Sequence, residues 1–112
     1  MKILIDECLP RKLKRELAEY DVQTVPEAGW AGKKNGELLK LMSGVYDVFI
    51  TVDGNIAYQQ VLVEAQVGFI VISAHTNKLE SLLPLMPQVK AVLPTIQAGQ
   101  VVRVRDATRY SV

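Results

Sequence analysis

Short apolar runs separated by stretches of helical spacing constrain this chain more than any other feature. KILI at residues 2–5 ends in Asp6-Glu7, DVFITV at 47–52 ends in Asp53-Gly54-Asn55, and VGFIVI at 67–72 is the cleanest run of the three. Runs that are apolar at nearly every position predict strands buried on both faces. Val22–Val25 and Gln100–Val104 read as two further strands. After Pro10, which suits a first helical turn, Leu13, Leu17 and Ala18 mark one helix face. Glu37–Met42 is a helical pattern with Asn35 as its N-cap, and Ile56–Glu64 reads as a helix. Leu79–Ala98 is helical but punctuated by Pro84, Pro87 and Pro94, which predicts breaks or two short helices. Residues 26–36 (PEAGWAGKKNG) read as a loop and 106–112 as a tail.

Strands alternating with helices at crossover-length spacing predict an α/β fold, a three-layer sandwich on a mainly parallel sheet of about five strands. The 112 residues suit a single domain over 1–112. A formal charge of +1 supplies no global field toward nucleic acid or anionic membrane, so such binding needs a local patch. A lone cysteine, Cys8, excludes an internal disulfide and a cysteine-rich zinc site and is compatible with a reducing compartment. The N-terminus turns acidic too early for a signal peptide, and no apolar run reaches the roughly 18 residues of a spanning helix. A cytoplasmic domain with no membrane partner is expected.

In open parallel sheets, ligands bind outside the carboxyl ends of the strands. Asp6 and Glu7 follow the first strand and Asp53 follows the third, so distant carboxylates share one rim, and Glu37 can reach it from the first turn of its helix. Crowded carboxylates raise each other's pKa unless one is protonated, a cationic side chain pairs with them, or a divalent ion binds. Oxygen-only donors suit Mg²⁺ or Mn²⁺. An ordinary alternative stands beside this: Asp6 as a helix cap, Glu7 solvated, and Asp53 in an Asx-turn with Gly54. Spacing leaves both open.

Arg11, Lys12, Lys14 and Arg15 form a basic run just past the acidic pair, either to hold phosphates or as a solvated helix face. Lys33-Lys34 and Arg103, Arg105 and Arg109 are weaker patches of the same kind. Trp30 is a loop aromatic that either stacks a base or packs over the core. Tyr58-Gln59-Gln60 and His75 fall on the same rim, and Cys8 reads as a small buried side chain.

Taken together, ILIDECLPRKL, the GWAGKKNGELL segment and DVFITVDGNIAYQQ resemble the small PIN-like proteins, a domain-of-unknown-function family related to PIN-domain ribonuclease toxins. The resemblance covers nearly the whole chain. It rests on Asp6-Glu7, on Asn35-Gly36-Glu37-Leu38 where the pattern is Asp-x-x-Leu, and on Thr51-Val52-Asp53. It implies a metal-dependent endoribonuclease, the toxin of a bacterial toxin–antitoxin pair, with RNA as substrate, a cognate antitoxin as partner and a homodimer as a further expectation. Asp6 and Asp53 would ligate Mg²⁺ or Mn²⁺, with Glu7 or Glu37 orienting the attacking water. Thr51 would position Asp53 by a side-chain hydrogen bond, Asn55 would donate to a phosphate oxygen, and Arg11, Lys12 and Asn35 would complete the substrate-binding set.

Two departures set limits. Asn35 stands where the pattern has an aspartate, and the mid-chain acidic helix of longer PIN domains is missing, so one metal ion is expected rather than two. Two rivals remain. One is a PIN-like binding module that has lost its chemistry. The other is a phosphoacceptor receiver domain, matched by the acid pair, Asp53 and Ser73, but offering only arginine in VVRVRD where a receiver needs lysine.

Overall fold

The apolar runs form strands at their predicted places, with ends shifted by a residue or so. The structure, a computed structural model, describes residues 1–54 and 66–105. Its strands are β1 (Lys2–Ile5), β2 (Asp21–Thr24), β3 (Val48–Thr51), β4 (Gly68–Ser73) and β5 (Val101–Arg105). They form one five-stranded sheet in the order β2-β1-β3-β4-β5, and every neighbouring pair is parallel. Connections leave β1 and β3 toward opposite edges, so the crevice between these two strands is the topological switch point of the sheet. Ile5 lies opposite both Thr24 and Ile50, which brings the strand ends level along one rim.

Strand alternation divides the core into two layers. On one face Ile3, Ile5, Val48, Ile50, Ile70, Ile72 and Val104 are buried against Leu13, Leu17 and the run Leu82 to Leu93. On the other, Leu4, Phe49, Phe69 and Val71 meet Leu38, Leu39 and Met42 of helix α1 (Asn35–Met42). The Phe49 and Phe69 rings sit edge to face, with centroids 6.3 Å apart. This is the three-layer α/β sandwich expected from the sequence.

The proline-punctuated stretch breaks as predicted, into α2 (Leu79–Leu82), a 3₁₀ turn (Leu83–Leu85) and α3 (Met86–Val92). Pro84 and Pro87 fall in the first turns of the last two segments, where a missing N–H costs no helical bond. The helix expected after Pro10 is instead a 3₁₀ helix, Arg11–Leu17. It has neither a side-chain cap nor an acid in its first turn, and Arg11 and Lys12 put positive charge at the positive end of the helix dipole.

Both this 3₁₀ helix and the α2–α3 region pack on the same face, although β1→β2 and β4→β5 advance in opposite directions across the sheet. The two crossovers therefore have opposite hands, which departs from the usual right-handed rule. The return segment after α3 sits close on β4. A Cβ at Gly68 would come within 2.9 Å of the Ile96 side chain and 3.1 Å of the Gln97 carbonyl, so this position needs glycine. Among the described residues no helix is long and apolar enough to cross a membrane. The helix expected at Ile56–Glu64 and the tail at 106–112 lie outside the described residues.

Candidate functional site

Asp6 continues β1 by one step, its backbone N–H donating to the Ile50 carbonyl at 2.9 Å. By strand alternation its side chain shares a face with Leu4, and Thr51 shares the same face with Phe49. The two meet. The Thr51 hydroxyl donates to Asp6 Oδ2 at 2.6 Å and accepts the Asp53 backbone N–H at 3.0 Å. Thr51 is fully buried and Asp6 is 8% exposed, so this bond lies where a lost partner would be costly. The other Asp6 oxygen, Oδ1, accepts the Glu7 backbone N–H at 2.8 Å.

Helix α1 contributes from the flank. Asn35 Nδ2 donates to Asp53 Oδ2 at 2.9 Å. The sequence reading of Asn35 as an N-cap is therefore corrected: the helix begins at Asn35, Lys34 precedes it without a side-chain cap bond, and the Asn35 amide serves Asp53. Asp6, Thr51, Asp53 and Asn35 thus form one connected network drawn from β1, β3 and α1. Thr51 positions Asp6 through the side chain and Asp53 through the main chain.

The other acids of the expected set go elsewhere. Glu7 is exposed and accepts the Gly32 N–H through both oxygens, at 3.1 and 3.3 Å. Glu37 pairs with Lys33 at 3.1 Å, one helical turn away. Among the described residues no three His, Cys, Asp or Glu side chains converge as a metal-holding group. The oxygen donors left for an ion are Asp6 and Asp53. Mg²⁺ typically takes one or two carboxylates and keeps several waters, and Asp6 Oδ1, Asp6 Oδ2 and Asp53 Oδ2 each have a second lone pair beyond the bond given above. By the chemistry of its donors the pair suits one such ion.

Cys8 lies half-buried beside this network, its sulfur 4.0 Å from Thr51 Oγ1. Burial pushes its thiol above the ordinary range, and the Asp6 carboxylate pushes the same way, against a hydrogen bond from the Val52 backbone. A thiol held protonated is a poor nucleophile. The Cys8 carbonyl accepts the Asn77 side-chain amide at 3.0 Å, tying the loop after β4 to the loop after β1.

Arg11 and Lys12 are exposed on the 3₁₀ helix and line, with Lys14 and Arg15, a groove of about 460 Å³. Lys14 is committed to Glu27 at 2.9 Å. Trp30 packs edge-on against Tyr46, with centroids 5.7 Å apart, which is the core-covering role. His75 is exposed beyond β4. Asn55 and Tyr58-Gln59-Gln60 lie outside the described residues.

One motif went unread in the sequence. Thr24-Val25-Pro26-Glu27 makes the reciprocal bonds of a capping box, Glu27 N–H to Thr24 Oγ1 at 3.2 Å and Thr24 N–H to Glu27 Oε1 at 2.9 Å. Its Thr-x-x-Glu spacing was the available signal, but here it closes a turn after β2 and opens no helix. No known protein family matches the chain, and neither does any curated protein or solved structure.

Proposed function

We propose that the chain is a metal-dependent phosphodiesterase acting on RNA, with its site on the rim shared by β1 and β3. One observation carries this reading: a single buried hydroxyl, Thr51 Oγ1, joins Asp6 to the backbone of Asp53 at the switch point of a parallel sheet. Carboxylates from separate strand ends, held by a shared fixed partner, suit a site that must keep its geometry while charge is transferred. Asp6 and Asp53 would hold Mg²⁺ or Mn²⁺, which when bound supplies an acidified water and neutralises a phosphate oxygen. Thr51 keeps Asp6 oriented, and the Asn35 amide holds the Asp53 carboxylate in place. The resemblance to PIN-like proteins extends the proposal to a toxin role, an antitoxin partner and a cytoplasmic setting.

A second reading, a binding module that has lost its chemistry, is favoured by Asn35. Its amide gives Asp53 a neutral partner, so the carboxylate is satisfied in part without any cation. The receiver reading draws on the strand order, but β3 closes on Thr51 and the candidate acceptor Asp53 stands two residues later, beyond the strand.

Mn²⁺ titrated into the chain by calorimetry, with single-stranded RNA cleavage assayed in parallel, separates these readings. Saturable binding and cleavage, both lost in Asp6→Asn and in Asp53→Asn, is the expected outcome. Mn²⁺ binding without cleavage of any RNA supports the binding module. Incorporation of phosphate from acetyl phosphate, lost in Asp53→Asn, would establish the receiver instead.

A further inference from the structure

The sheet register places a cation in line with the candidate site that the acidic network does not use. Thr51 of β3 lies opposite Val71 of β4, and Val71 lies opposite Arg103 of β5. Asp6 extends the same row on the other side of Thr51, through its bond to the Ile50 carbonyl. Residues in one row of a parallel sheet project to the same face, and adjacent strands are roughly 4.8 Å apart. Arg103 therefore stands two strands from Thr51, on the face that carries the Asp6 carboxylate.

A groove of about 350 Å³ runs along this rim, lined among others by Val52, Gly54, Ser73, Asn77 and Arg103. Val52 and Gly54 are the residues on either side of Asp53, so the groove begins at the candidate site. At Gly54 the nearest atom to a Cβ would be Arg103 Nη1, at 3.8 Å. The guanidinium thus reaches back over β4 toward the loop that carries Asp53. Arg103 is exposed and forms no ion pair with any described residue. A hydroxyl and a guanidinium without an ion pair among the described residues suit a phosphate group, which a planar arginine fork can hold through two N–H bonds.

We propose that Arg103, with Ser73 beside it, is a phosphate subsite that binds a backbone phosphodiester of the RNA strand flanking the one at Asp6 and Asp53. The proposal rests on the RNA reading given above and names its second anchor. Arg11 stands on the β2 side of the rim and Arg103 on the β5 side, so a strand laid across the acids meets positive charge at both ends.

The test is fluorescence anisotropy of a fluorescein-labelled single-stranded oligouridylate, in EDTA so that no cleavage occurs, over a range of potassium chloride concentrations. Loss of one phosphate contact makes the slope of log affinity against log salt shallower by about 0.7 for a single strand. That change is expected in Arg103→Gln. Arg103→Lys, which keeps the charge, should retain the wild-type slope, and so should Lys40→Gln on exposed α1 surface. An Arg103→Gln slope equal to wild type overturns the subsite, as does an equal fall in Lys40→Gln. RNA cleavage in Mg²⁺, measured on the same proteins, reports separately on the proposed function. A wild-type chain that neither binds nor cleaves RNA overturns both.

Discussion

Asp6 and Glu7 are adjacent in sequence, yet they belong to two regions that handle charge differently. On the rim, Asp6 is nearly buried and is held by a hydroxyl and an amide, both neutral donors. On the flank formed by residues 24–37, both acids are exposed and each is matched with a lysine: Glu27 with Lys14, and Glu37 with Lys33. Glu7 is turned toward that flank and accepts the Gly32 N–H. The end of the strand separates the pair: Asp6 still bonds β3 through its backbone N–H, whereas Glu7 stands in the turn that follows. Adjacency of carboxylates in a sequence thus does not pool their charge at one point. What pools charge at this rim is Thr51, whose sequence position is remote from Asp6.

If the rim depends on neutral donors in a buried setting, removing one should cost more than any change on the flank. Thr51→Val keeps the shape but takes away the donor to Asp6 and the acceptor for the Asp53 N–H. Leaving a buried carboxylate oxygen and a backbone N–H without these partners should lower stability by about 3 kcal/mol. Urea unfolding of the two proteins measures it. A loss under about 1 kcal/mol would show that water replaces the hydroxyl readily, and the rim would then be no more buried in effect than the flank.

Asn35→Asp asks whether the rim tolerates another charge. It replaces the amide donor with a carboxylate facing Asp53 Oδ2. Loss of a hydrogen bond to a charged group, with like-charge repulsion in its place, should cost about 2 kcal/mol in the absence of divalent ions. Added Mg²⁺ should recover most of that loss, because a cation relieves the repulsion that the substitution creates. Thermal melts with EDTA and with Mg²⁺ read both arms. Equal destabilisation in the two conditions would mean that no ion binds between residue 35 and Asp53.

The fold was legible because burial on both faces leaves a strong mark: KILI, VFIT and GFIVIS are apolar at nearly every position, and their spacing admits parallel crossovers. The breaks at Pro84 and Pro87 were legible for an equally local reason, since proline removes a donor wherever it falls. The first crossover was not. The i, i+4 spacing of Leu13 and Leu17 is that of an α-helix, yet the segment is 3₁₀ and buries both leucines all the same. At the site, the acids of Asp6 and Asp53 could be placed on one rim from strand ends alone. The partners of Glu7 and Asn35 could not, because they depend on where the loop of residues 26–34 returns. That return is set by tertiary contacts, such as Trp30 against Tyr46 and the Trp30 N–H on the Val25 carbonyl at 3.1 Å.

The flank predicts smaller effects. Glu7→Gln keeps an acceptor for the Gly32 N–H and removes only charge from an exposed site. Stability should change by no more than about 0.5 kcal/mol, measured by urea unfolding beside Asp6→Asn. A change as large as that in Asp6→Asn would erase the distinction between the two acids.

The smallest effect is also the one with a defined pH window. The Lys14 ammonium, together with the Thr24 backbone N–H, holds the exposed Glu27 carboxyl down at about 2, below the ordinary value of 4.5. A pKa lowered by folding means that the folded state prefers the ionised form, so the stabilisation is present above about pH 4.5 and is lost as pH falls toward 2. The stability difference between the wild type and Glu27→Gln should accordingly be constant near neutrality and shrink steadily through that window. It should also shrink with added salt, because the pair is exposed and screened. Urea midpoints of both proteins at several pH values below neutrality test this directly. A difference that stays constant down to pH 2 would show that Glu27 acts through the Thr24 turn as a neutral acceptor. The flank would then hold its acids by the same means as the rim, and burial alone would distinguish the two regions.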